Sequence, residues 1–516
     1  MAPTKKFLLL GASTVLLTGC VASGASDAGA TSAGTAPTPA TAAGTAKAPK
    51  YANAKPISSK EKAQGAKLHP QILNEFGGEW QSGQTAYVVR VGKNIAVQSG
   101  LGNAAQDFNV SLLNSSVNNA FAIPGGYIYI TRQLVALCNS EAEMAGVLGH
   151  EVGHVAARHS KKRQRRSTIA NIGAVAGTIL GAVLGGNSGL LGTLGQGLRE
   201  YSGALAQVFT LSYSRSQEEE SDDLGIAYLS SAGYDPSALS DMLASLAMQT
   251  SVDTRAAGRQ EQAIPDWART HPEPAKRVAR AASNARAYAA SNRRGRNTHL
   301  ANINGMLYGD DPKQGVIEGN TFKHPDLRLK FSVPSGFGMA NGARAVSING
   351  SSGKAIFTTQ AYSGNKAAYI QSAFKAVSGK NSQINYGEIR QTTINGIPAF
   401  YSTALVPGQN GSQTSVTVFA YEFSNSQAFH FVTLSSGNNS PFGNMYQTMS
   451  RLSQSEAKSI KPRKIRIVTV KRGDTAASLA SKMAYNSLKT DRFLALNGMR
   501  SSDALRAGAK VKIVTY

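Results

Sequence analysis

Cysteine is almost absent from this chain. Its 516 residues hold two, Cys20 and Cys138, so a disulfide-stapled scaffold is excluded. Histidine is scarce too, with eight in all. Acidic residues number 30 against 54 Lys and Arg, and the formal charge of +24 favours anionic surroundings. No nucleic-acid motif accompanies that charge, so nucleic acid is not expected among the partners. From Val21 to about Tyr51 large apolar side chains are nearly missing, which excludes a packed core there. From Ser167 to Leu198 charge is missing altogether.

Three of the eight histidines fall in one short stretch, GHEVGHVAARHS, Gly149–Ser160. A helix turns about 100° per residue, so His150 and His154, four apart, share a face and can hold one Zn²⁺. Glu151 lies between them, close enough to take a proton from water, which is the content of an H-E-x-x-H pattern. His159 swings off that face and is not counted as a ligand. A catalytic zinc needs a further protein ligand. The metzincin continuation would place Gly and His where this chain has Ala157 and Ser160, so that class is excluded. A carboxylate on a second helix remains. SRSQEEESDDLGIAYLSSAGYDP, Ser214–Pro236, offers Glu218 and Asp222 on one face, although acidic residues also suit an ordinary helix start.

Four ordered segments carry a resemblance. NNAFAIPGGYIYITRQLV (Asn118–Val135), EAEMAGVLGHEVGHVAARH (Glu141–His159), Tyr213–Pro236 and THPEPAKR (Thr270–Arg277) resemble the HtpX-like and BepA-like zinc metallopeptidases, related to the CAAX prenyl proteases. The resemblance implies a mainly helical, zincin-like domain with one Zn²⁺ on His150, His154 and Glu218, Asp222 behind them, and Glu151 as general base. Ser221 departs from the family, which has Ala there. The resemblance also implies that an edge strand borders the cleft, with Ala122, Ile123, Gly125 and Tyr127 offering main-chain bonds to an extended substrate. His271 matches a family histidine that approaches the metal from a loop. Its role stays open between a fourth ligand that closes the site and a donor to the oxyanion, while Pro272 and Pro274 also suit a plain loop before a Pro-initiated helix.

The first residues, MAPTKKFLLLGASTVLLTGC, resemble a bacterial lipoprotein signal, with a basic start and an apolar stretch too short to span a membrane. Lipidation is expected at Cys20, which leaves Cys138 without a partner, and Val21 points to the outer membrane. The expected class is α+β, with this organisation: signal 1–19, anchor and tether 20–66, peptidase domain 67–296, a β-rich domain of unassigned role at 315–455, and a last module at 463–516. That module resembles LysM, with a strand, a Gly-Asp-Thr helix start, a Leu-Asn-Gly break and a closing strand. LysM implies peptidoglycan binding, but Ala476 replaces the usual Leu and the helix link is long, so a structural cap is the competing reading. A single crossing by Ser167–Leu198 would put His154 and Glu218 on opposite sides of a bilayer, so a packed helical hairpin is expected.

These readings imply an exported, lipid-anchored zinc endopeptidase of the outer membrane, facing the periplasm, that cleaves misfolded or stalled envelope proteins. The alternative is a chaperone-like assembly or cell-wall-associated factor with little proteolysis. The basic run Arg158–Arg166 would face lipid head groups, wall polymers or solvent.

Overall fold

A computed structural model describes residues 54–102, 105–162, 213–256, 271, 274–378, 384–407, 413–436 and 440–516. Cys20, the tether up to 53 and the expected hairpin lie outside the described residues. Folding begins before the expected tether boundary at 66. Ser58 and Glu61 form a reciprocal capping box that starts α1 (Ser59–Glu75).

After α2 (Gly83–Ala96) come β1 (Asn109–Leu113), β2 (Ala120–Ile123) and β3 (Tyr127–Thr131), in spatial order β1-β3-β2. β3 runs parallel to β1 and antiparallel to β2. Two-residue alternation sends Leu113, Phe121, Ile123 and Tyr129 towards α1, and Val110, Leu112, Ile128 and Ile130 into the helical core. The β2–β3 turn needs glycine. Gly125 has φ +99°, and a Cβ there would lie 2.5 Å from the Glu61 carbonyl of α1.

α3 (Arg132–Leu137) leads to α4 (Glu141–Ala156), which starts where Ser140 Oγ accepts from Glu143 N at 3.2 Å. Every residue of α4 except Val155 is buried, because α2, the small sheet, α5 (Arg215–Ser231) and α6 (Ala238–Ala256) surround it. α7 (Pro274–Ala285) packs on α5 and α6, and α8 (Arg296–Ile303) follows.

The chain then makes a long excursion through β4 (Val316–Glu318), β5 (Thr321–His324), β6 (Leu329–Ser332), β7 (Gly338–Asn341), β8 (Val346–Gly350) and β9 (Gly353–Thr359). It continues through α9 (Lys366–Ser378), β10 (Arg390–Ile394), β11 (Ile397–Pro407), β12 (Gln413–Ser424), β13 (Gln427–Ser436), α10 (Gly443–Thr448), β14 (Ser450–Arg451) and α11 (Gln454–Ser459). The antiparallel sheet β10-β11-β12-β13-β9-β8-β7 carries α9 on one face, while the sheet β14-β6-β5-β4 and α10 cover the other. His430 is a satisfied core histidine, with Nδ1 2.9 Å from the Tyr369 hydroxyl.

The last module, β15 (Lys464–Thr469), α12 (Ala476–Ala480), α13 (Lys489–Asn497) and β16 (Lys510–Thr515), has no core of its own. Ile465, Leu479, Phe493, Val511 and Val514 belong to the same continuous core as α3, α4 and α6. Outgoing and returning chain pair where Gly305 N donates to Ile465 O and Ile465 N to Met306 O, each at 2.8 Å. Lys512 is fully buried, and its Nζ donates to the carbonyls of Ala136, Leu137 and Cys138 at 2.7–2.8 Å, capping the C-terminal end of α3. Burial pushes this ammonium down to about 7, against the pull of Glu143. Among the described residues no helix is long and apolar enough to cross a membrane.

Candidate metal centre

Glycine lets two helices meet. A Cβ on Gly225 of α5 would lie 3.0 Å from His150 N and 3.3 Å from His150 Cα, and one on Gly153 would lie 3.1 Å from Leu224 Cβ. Without those side chains α5 lies directly on α4 and brings Glu218 beneath His150 and His154.

Four buried side chains converge there. His150, His154, Glu218 and His271 each offer one ligand atom, and these atoms all lie within 4.8 Å of one another. A tetrahedral site with bonds of about 2.0–2.1 Å has donor–donor edges of about 3.3–3.4 Å. His150 Nε2 stands 3.0 Å from His154 Nε2, 3.5 Å from Glu218 Oε2 and 3.2 Å from His271 Nδ1. Glu218 Oε1 stands 3.3 Å from His154 Nε2 and 3.1 Å from His271 Nδ1. These edges bracket the tetrahedral value. Glu151 is buried beside the cluster, its Oε1 has no hydrogen-bond partner, and that oxygen lies 3.5 Å from His271 Nε2. Mixed nitrogen and oxygen donors at this spacing, next to an orphaned carboxylate oxygen, fit zinc.

The surrounding charges hold the donors in place. Asp222 Oδ1 accepts from His150 Nδ1 at 2.9 Å, and Arg277 donates to both Asp222 oxygens, at 2.8 and 2.5 Å, and to Glu218 Oε2 at 2.5 Å. Burial alone would raise Glu218 and Asp222, but nearby His271 and the hydrogen-bonded histidines hold Glu218 well below the ordinary range, and Arg277 holds Asp222 down. Burial would depress His150, yet its bonds to Asp222 and Glu218 push it up to about 9. Burial dominates at His154 and holds it well below its usual value, in spite of Glu218. Burial raises the Glu151 carboxyl, partly offset by His271 and His150.

Of the residues singled out in the sequence, His150, Glu151, His154, Glu218, Asp222 and His271 come together here. The strand residues divide. Ala122 and Ile123 lie on β2, an edge of the sheet, Gly125 lies in the turn, and Tyr127 opens β3. β3 is paired on both sides, so Tyr127 offers no free edge, which corrects that expectation. Three residues were missed. Arg277 stands six positions after His271 in THPEPAKR and reads there as one more surface charge. Tyr213 stacks on the His154 ring with centroids 3.8 Å apart. His159, set aside as a ligand, stays outside the donor group but touches His154 from behind, Nδ1 to Nδ1 at 2.9 Å. The three histidines in one stretch were its only signal.

The helical fold, the HExxH helix and the buried donors define a metallopeptidase domain. Residues 82–285 match Peptidase family M48, whose members are zinc-dependent, and residues 468–514 match the LysM domain, so the chain carries an M48 metallopeptidase domain and a C-terminal LysM domain. It is 30% identical over 212 residues to the beta-barrel assembly-enhancing protease of Yersinia pestis, a match spanning 39% of each chain. It is 28% identical over 221 residues to the mitochondrial metalloendopeptidase OMA1 of Schizosaccharomyces pombe, 42% of this chain and 59% of that one. It is 30% identical over 154 residues to the metalloprotease LoiP of Escherichia coli, 29% of this chain and 57% of that one. The chain thus spans less than two thirds of each of these relatives.

Proposed function

We propose that this chain is a zinc-dependent endopeptidase of the cell envelope, with His150, His154 and Glu218 as the metal ligands and Glu151 as the general base. The observation that carries this reading is the set of buried donors at tetrahedral spacing beside a buried Glu151 oxygen that accepts no hydrogen bond. Zinc, when bound, supplies a Lewis acid that polarises a peptide carbonyl and acidifies water. Glu151, raised by burial, takes the proton of the attacking water and hands it to the leaving amine nitrogen. Asp222 and Arg277 keep His150 and Glu218 aimed at the metal. The edge of β2 at Ala122 and Ile123, unpaired by any strand among the described residues, supplies main-chain donors and acceptors to an extended substrate. Bonds of that kind read backbone rather than side chains, which suits unfolded or misassembled envelope proteins. The similarity to the beta-barrel assembly-enhancing protease of Yersinia pestis supports an envelope-protein substrate, and the LysM domain supports contact with peptidoglycan. Lipidation at Cys20 would anchor the chain to the outer membrane, facing the periplasm.

His271 Nδ1 sits where a fourth ligand would stand, which supports a resting form closed by His271 and favours low basal proteolysis with an assembly role beside it. Metal analysis alongside a digest of casein tests the main reading. Glu151→Gln should keep one zinc per chain and lose about 10²- to 10⁴-fold in cleavage rate, whereas Glu218→Ala should lose the metal as well. Equal zinc loss in both variants would contradict the division of roles.

A further inference from the structure

Two zinc-ligand histidines lie on α4, and each has a second ring nitrogen that needs a partner to hold the ring in place. For His150 that partner is a carboxylate in direct contact, Asp222 Oδ1 at 2.9 Å. His154 turns Nε2 to the donor cluster, and its Nδ1 meets another imidazole, His159 Nδ1 at 2.9 Å. Beyond it, His159 Nε2 lies 3.0 Å from Glu220 Oε2. The carboxylate has moved one ring further out.

We propose that His159, backed by Glu220, is a positioning residue that sets the tautomer and ring orientation of His154. The inference rests on the zinc reading above. The hydrogens can be counted from both ends of the chain of contacts. A carboxylate only accepts, so the proton between His159 and Glu220 belongs to His159 Nε2. A ligand nitrogen must be bare, so His154 carries its proton on Nδ1 and donates it to His159 Nδ1, which is therefore bare as well. Both requirements give the same single arrangement.

The fold builds this contact deliberately. α4 ends at Ala156, Arg158 takes a left-handed φ of 55°, and after this turn His159 is fully buried with its ring against that of His154. Glu220 comes from α5, two residues after Glu218, so the helix that supplies the third ligand also supplies the end of the relay. Ser221 Oγ lies 3.3 Å from His159 Nδ1. Glu220 also meets Lys162 Nζ at 3.8 Å. Outer partners of ligand histidines typically change metal affinity by about 10- to 100-fold when removed.

The test is zinc affinity of the full chain, measured by competition with a chelating dye, together with proton–nitrogen spectra of histidine-labelled protein. His159→Leu should weaken zinc binding about 10- to 100-fold and abolish the exchange-protected Nδ1–H signal of His154. His159→Asn offers Oδ1 as a replacement acceptor and should regain much of the affinity, although asparagine fills the volume less well and its metal-free thermal midpoint should be no higher than that of the leucine variant. A packing role would order the two variants the other way. Should His159→Leu not fold, Glu220→Ala carries the test, since that carboxylate is partly exposed, and several-fold weaker binding is expected. The proposal is overturned if the leucine variant binds within about twofold of wild type, if leucine and asparagine weaken binding equally, or if Glu220→Ala changes nothing. If wild type takes up no zinc, or His154→Ala keeps it, the zinc reading itself fails.

Discussion

His150 faces opposite demands in the metal-free and metal-bound states. Metal-free, Asp222 and Glu218 overcome burial and push it up to about 9, above its ordinary value of 6.5. A raised histidine contributes folding stability that is fully present below the unfolded value and lost as pH rises through about 9. Zinc requires the neutral ring, so binding expels that proton and the dependence reverses. Apparent zinc affinity should therefore rise with pH, about tenfold per unit from this group alone, until about pH 9. Competition titrations between about pH 6 and 8 measure it, and a flat profile would contradict the ligand role. His271 gives a prediction with a sign. If it closes the site, His271→Ala should raise basal cleavage of an unfolded substrate with zinc content near normal, because three ligands remain. A fall in turnover of about 10²- to 10³-fold would instead mark it as a donor to the oxyanion.

At the scale of elements, the α4–α5 contact decides whether a site exists. The backbones approach through Gly149, Gly153 and Gly225, and the added Cβ on Gly225 would meet the His150 backbone, which cannot rotate away. Gly225→Val should force the helices apart, cost about 1–3 kcal/mol of stability and lower zinc occupancy. Thermal unfolding with and without metal checks both effects. A stable variant with full zinc would show that Glu218 reaches the cluster without that close contact.

For the whole molecule, the C-terminal module is part of the peptidase body. Its apolar residues lie in the peptidase core, and Lys512 closes the carbonyl end of α3, just ahead of the helix that carries His150 and His154. Lys512→Met would leave Ala136 O without its side-chain donor, while Leu137 O keeps Asn139 Nδ2 and Cys138 O keeps His299 Nε2, so the expected loss is about 1–3 kcal/mol. A chain ending before Lys464 should fail to hold zinc, and an isolated 462–516 fragment should be poorly folded, because its apolar residues share one core with the peptidase. Circular dichroism of the fragment and metal analysis of the shortened chain check this. A well-folded fragment that pellets with peptidoglycan at high salt would restore the picture of a free-standing wall reader.

Local geometry was legible without a structure. The four-residue spacing of His150 and His154, and of Glu218 and Asp222, determines shared helix faces because helical rise and turn are the same in any protein. Pro274 at the start of α7 was legible from its fixed φ, whereas the break expected after Asn297 falls inside α8 (Arg296–Ile303), which packs into the peptidase core. The helix start inside the expected tether stands at Ser58 and Glu61, a capping-box spacing that a reading by composition passes over. Arg277 and Lys512 were invisible, and His159 was set aside, for a deeper reason: each is a polar side chain whose partners lie on other elements, five residues away for His159 and His154 but more than three hundred for Lys512 and Ala136. Sequence by itself determined which groups could bind zinc. Only the packing of α5 on α4 and of β16 against α3 decided which buried charges are paired, since in a low-dielectric core a charge is tolerated only where tertiary contacts bring its counter-group within bonding distance.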